Sequence, residues 1–187
     1  MKFFFRLLLL TGLSALTGAA WVAHRAENPA VVEAAKPGGR QRELVDDLKQ
    51  AAIKRSAVFE ISEAEINRHL AKALSGSLPK DFSWAKFERV ALELDPDVAR
   101  ATLLWDVHGH RSSATVDFKV LRQNDSFRIE VVGGKYGHLT VPHGLLRPLA
   151  PALEKLAAVL QDEIQALFQM NQIQIAQDKL VLDPRFP

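Results

Sequence analysis

The chain has 187 residues, 48% of them hydrophobic and 25% charged, which are the proportions of an ordinary folded protein and exclude both a disordered chain and a polytopic membrane protein. Its length fits one domain with an appendage and excludes a multi-domain machine. It contains no cysteine, so disulfides, thiolate metal sites and cysteine nucleophiles are excluded as well. The formal net charge of +2 is unevenly spread. Residues 1–42 carry six Lys/Arg against two Asp/Glu, leaving 18 basic and 20 acidic groups in residues 43–187. The bulk of the chain therefore lacks the cationic excess that phosphate backbones require, and nucleic acid is not an expected partner.

Lys2 and Arg6 precede 17 uncharged residues, Leu7 to Ala23. This run is at the short end of what spans a bilayer and long for a cleaved signal. Gly18-Ala19-Ala20 offers small residues for cleavage, whereas Trp21 and Val22 prolong the apolar stretch. An uncleaved membrane helix over residues 1–25 is the favoured reading, a cleaved signal peptide the other. Either places the rest of the chain outside the cytoplasm, because the positive charges precede the run. Residues 26–41, with Pro29, Pro37 and Gly38-Gly39, read as a flexible tether. Residues 42–187 are then expected to form one extracytoplasmic α+β domain.

Within that domain, Leu44, Leu48, Ala51 and Ala52 recur at helical spacing between Arg42 and Arg55. Ser62 and Glu65 have the spacing of a capping box, with Ile61 and Ile66 as its hydrophobic staple. Ile66, Leu70 and Leu74 continue one apolar helix face, and Gly76 is the expected stop. The period then changes to 2. Ala101, Leu103, Trp105 and Val107, then Ala114, Val116, Phe118 and Val120, then Phe127, Ile129 and Val131 each alternate with other residues. These are strands with one apolar face. Turn formers separate them: Asp95-Pro96-Asp97, His108-Gly109-His110, Asn124-Asp125-Ser126 and Gly133-Gly134. The pattern predicts an antiparallel meander starting near Lys86.

After a short segment at Tyr136–Val141, the residues Leu149, Leu153, Leu156, Leu160, Ile164 and Leu167 advance by 4, 3, 4, 4 and 3. That stripe predicts one long C-terminal helix packed on the apolar face of the meander. Ile173, Ile175, Leu180 and Leu182 around Gln177-Asp178-Lys179 predict a last hairpin that adds two edge strands to the same sheet.

Asp106, His108 and His110 share a strand face, but they fall at a hairpin turn on its polar side, so no metal site is expected. Nucleophile elbows, zinc-protease motifs and phosphate loops are absent. Glu63 and Glu65 are accounted for by the capping box. Gly133, Gly134 and Gly137 are followed by a strand pattern, not a helix N-terminus, and make no phosphate cradle. No catalytic residue, metal or cofactor is expected. The apolar face of the sheet and the long helix either pack dry or leave a groove for an acyl chain, and the pattern alone does not decide between them.

Ile61-Ser62-Glu63-Ala64-Glu65-Ile66-Asn67-Arg68-His69-Leu70 resembles the helix start of bacterial membrane-anchored proteins of the YpmS-like and related tubular lipid-binding (TULIP-like) families. Gly137-His138-Leu139-Thr140-Val141-Pro142 resembles the element that precedes their long helix. The resemblance covers roughly residues 60–187. It implies a sheet wrapped around a helix and a lipid-binding role, and it carries over no catalytic residues. The resulting expectation is an envelope protein that binds an apolar ligand, a lipid chain, through Trp105, Val116, Phe118, Leu139, Leu149, Leu153, Leu156 and Leu160. The rival is a non-enzymatic structural or assembly factor that binds another envelope protein.

Overall fold

The computed structural model describes residues 2–26, 44–54, 57–74, 86–123 and 126–185. The expected tether beyond Ala26, the Gly76 stop and the Asn124-Asp125 turn lie outside the described residues. Five strands follow one another as an antiparallel meander: β2 (Lys86–Asp95), β3 (Val98–Val107), β4 (His110–Gln123), β5 (Ser126–Tyr136) and β6 (Leu139–Val141). The turn chemistry explains the tightness. His108 and Gly109 both have positive φ (52° and 83°), as a two-residue hairpin turn with the twist of its strands requires. At the β2–β3 and β5–β6 turns one residue takes this role, Asp97 (φ 64°) and Gly137 (φ 52°).

The last hairpin, β7 (Gln172–Ala176) and β8 (Lys179–Asp183), does not extend the meander. It forms a separate three-stranded sheet with β1 (Phe59–Ser62), in the order β1-β8-β7. The two sheets meet at their hairpin tips, where Asp97 N–H donates to Ile175 O (3.0 Å) and Asp178 N–H to Leu94 O (3.0 Å). Leu94, Ala99 and Ile175 are buried at this junction, and Phe118 and Val120 pack against them.

The expectation of one long C-terminal helix is overturned. A 3₁₀ helix (His143–Leu149) leads into α4 (Ala150–Val159), and α5 (Gln161–Phe168) follows after a break at Leu160. Leu160 leaves helical geometry (φ −98°, ψ 23°). The break lets the stripe serve two cores. Leu149, Leu153, Leu156 and Leu160 face the meander, whereas Leu167 packs with Leu48, Ile61 and Leu182 against the small sheet. Helix α2 (Leu44–Lys54) covers that sheet beside α5, and Lys49 Nζ lies 3.3 Å from Asp162 Oδ2.

The expected membrane helix is also overturned. Helix α1 spans Lys2–His24, but among the described residues no helix is long and apolar enough to cross a membrane. At 1.5 Å per residue the uncharged run extends only about 26 Å against a hydrocarbon core of about 30 Å. Thr11, Gly12, Ser14, Thr17 and Gly18 dilute it further. Its last turn meets the meander instead, with His138 N–H directed at Val22 O (3.4 Å). The signal-anchor reading, and the membrane-anchored localisation that rested on it, fall with this finding.

One expected solvent face is also different. At the centre of the meander Thr102, Leu104, Ser113 and Thr115 are buried, with the Thr102 and Thr115 hydroxyls 3.0 Å apart. Only further out does this face carry charge, where Arg100 lies 2.6 Å from Asp95 and 3.5 Å from Asp117.

Candidate apolar ligand site

Helix α3 (Glu63–Leu74) begins at the capping box that its sequence announces. Ser62 N–H donates to Glu65 Oε2 (3.0 Å), and Glu65 N–H to Ser62 Oγ (3.3 Å). The helix then lies along the outer edge of β2. Asn67, 9% exposed, holds both backbone groups of Leu92: its side-chain amide donates to Leu92 O (2.7 Å) and its oxygen accepts from Leu92 N–H (2.7 Å). Glu63 Oε2 accepts from Leu94 N–H (2.8 Å). Glu63 is thus an edge-strand clamp, and Glu65 alone completes the box. Burial, with the nearby carboxylates of Asp178, Glu93 and Asp95, pushes the Glu63 carboxyl up, while the Leu94 N–H pulls it down. Neither clamp was foreseen, because only the position of β2 gives Asn67 its partner.

With α3 fixed on β2, its Leu70 and Leu74 join Phe87, Val90, Leu103 and Trp105 of the meander and Leu153, Leu156 and Leu160 in one apolar cluster, the seam. Leu74, Leu103 and Leu156 are buried at the bottom of this seam. Around them Leu70, Phe87, Val90, Trp105, Leu153 and Leu160 stay only half-buried. Trp105 and Leu153 also border a second, closed cluster of Ala114, Val116, Val141, Leu146 and Leu149, with Tyr136 and Leu139 at its margin. Tyr136 O–H donates to Leu145 O (3.1 Å) and ties the 3₁₀ helix to β5; burial raises the phenol's pKa, keeping it a donor.

Of the eight residues expected to line a ligand site, Trp105, Leu153, Leu156 and Leu160 therefore meet at the seam. Val116, Leu139 and Leu149 stand in the adjoining closed cluster. Phe118 sits apart, at the junction of the two sheets. The seam residues not among the expected ligand contacts are Leu70 and Leu74 from α3, Phe87 and Val90 from β2 and Leu103 from β3, of which periodicity did not single out Phe87 and Val90.

At one end of the seam His69 Nε2 lies 2.7 Å from Glu163 Oε1, linking α3 to α5. These residues adjoin Leu70 and Leu160, and both are largely shielded from solvent, with 21% and 17% of their side chains exposed. One donor–acceptor pair thus stands beside the apolar seam. Elsewhere, Asp106 Oδ1 accepts from Gly109 N–H (2.7 Å), which makes it a turn residue. Among the described residues no cluster of three His, Asp or Glu can hold a metal ion. Compared with known proteins, the chain matches no family model and no curated protein.

Proposed function

We propose that this domain binds an apolar ligand, a single lipid acyl chain, in the seam between α3 and α4, over Trp105. The half-burial of six large apolar side chains around a floor of three buried leucines carries the reading. A chain laid there removes the remaining apolar surface from water at roughly 25 cal/mol per Å². Such sites are largely apolar with few polar groups, and the His69–Glu163 pair supplies a donor and an acceptor for a polar head at one end. The resemblance of residues 61–70 and 137–142 to the TULIP-like families supports the same ligand class.

The chain's three tryptophans, Trp21, Trp84 and Trp105, allow a direct test. A dibrominated stearic acid titrated into the full chain should quench its emission saturably. The variant Trp105→Phe should lose most of that quenching and yet still take up the probe, as read by displacement with oleic acid. A quench that does not saturate, or one unchanged in Trp105→Phe, would remove the ligand from the seam and favour the protein-binding assembly factor.

A further inference from the structure

Among the described residues, strand β5 is paired on its outer side only at Gly134–Tyr136, by β6. Among the described residues no strand pairs with the outer edge of Ser126–Val132. This stretch is regular up to Val131 and ends in a bulge at Val132, because Asp117 opposes Gly133 and Phe118 opposes Val131. Ile129 is its midpoint. An open edge of this kind is a template for another strand, and two features make this one unusual. Ile129 and Val131 are 51% and 39% exposed. By alternation they share a face with Phe127, whose ring centroid lies 6.0 Å from that of Phe168 on α5. The opposite face carries Arg128 and Glu130, both exposed.

The order Phe-Arg-Ile-Glu-Val is self-complementary when read against itself in the antiparallel sense. Ile129 meets its own copy, Phe127 meets Val131, and Arg128 meets Glu130. We propose that two copies of this chain join edge to edge through β5 about a two-fold axis at Ile129, so that Arg128 faces the partner's Glu130 and Glu130 the partner's Arg128. The apolar pairs Phe127–Val131 lie on the other face, and the two meanders become one continuous sheet. This is an isologous contact, closed at two copies. A shift of one residue in register would set Arg128 against Val131 and lose both charge pairs, so the charges select the register.

Sedimentation velocity of the full chain over a range of concentrations is expected to show a monomer–dimer equilibrium. Arg128→Glu and Glu130→Arg should each weaken it by about tenfold or more, because either places like charges opposite one another twice. An equimolar mixture of the two variants, and separately the double variant, should restore association to the original strength; misfolded variants could not restore one another. Since the chain has no cysteine, a single Ile129→Cys should form a disulfide-linked dimer under mild oxidation, because directly paired antiparallel residues have Cα atoms about 4.5–5.5 Å apart. Val131→Cys should not, being offset by four residues from its own copy. A monomer at every concentration, single variants that associate as well as the parent, a mixture that fails to restore association, or crosslinking at 131 equal to that at 129 would each overturn the proposal.

Discussion

Replacing Asn67 by Leu is expected to lower stability by about 2–4 kcal/mol, read as the urea unfolding midpoint by circular dichroism. Leucine keeps the branching at Cγ but neither donates nor accepts, so the N–H and C=O of Leu92 lose their partners together. Each unsatisfied, partly buried backbone group costs about 1–3 kcal/mol. Asn67→Asp should fall between the two, because it still accepts from Leu92 N–H but sets a second oxygen against Leu92 O. A midpoint for Asn67→Leu within about 0.5 kcal/mol of the parent, the scatter of ordinary surface substitutions, would mean that α3 is not held to β2 by this side chain.

Gly134→Ala should be comparably damaging. Gly134 lies opposite Val116 on the apolar face of β5. A Cβ there would collide with the carbonyl oxygen of Thr115 and stand 2.8 Å from Leu146 Cδ1. The leucine could turn aside, but the strand backbone could not. Both neighbours belong to buried parts of the fold, Thr115 in the central strand and Leu146 in the cluster under the 3₁₀ helix. Overpacking of this kind costs typically about 1–3 kcal/mol, and the backbone collision places this site at the upper end. Gly133→Ala is the matched control, since its nearest neighbour would be Asp117 Oδ2 at an ordinary 3.6 Å.

Where structure follows from neighbours in sequence, it was legible. The capping box at Ser62 and Glu65, the period-2 alternation from Lys86 onward and the turns at Asp95-Pro96-Asp97 and His108-Gly109-His110 all rest on contacts within a few residues, and they stand in the fold as read; Gly133-Gly134, expected as a turn, instead lies inside β5, paired with Asp117 and Val116 of β4. The failures share a physical cause, which is that a periodic stripe says which residues are covered but not by what. Leu149 to Leu167 keep helical spacing across the break at Leu160 because the bend changes the direction of the stripe and not its period. The sequence of β7 and β8 is equally suited to joining either sheet; β1, four residues long with only Ile61 buried, was hidden inside the staple of the following helix. The uncharged N-terminal run stands at the short end of a span by length, and Thr11, Gly12, Ser14, Thr17 and Gly18 lower its hydropathy enough to decide against one. Of the candidate site, the α4 wall and Trp105 were readable from periodicity. Leu70 was readable as part of an apolar helix face but not as the opposite wall, since it joins Phe87 and Val90 only once Asn67 and Glu63 bind α3 to the edge of β2.

The seam as an acyl-chain site is tested most directly by native mass spectrometry of the full chain after incubation with oleic acid, alongside Leu153→Trp. Leu153 borders both apolar clusters, so a tryptophan there fills the trough. The account predicts one bound oleate per chain for the parent, loss of that adduct in Leu153→Trp, and an unfolding midpoint for the ligand-free variant close to the parent's. A parent that carries no oleate at excess fatty acid, together with a variant destabilised by the roughly 1–3 kcal/mol of an overfilled core, would contradict it and show the seam to be closed packing.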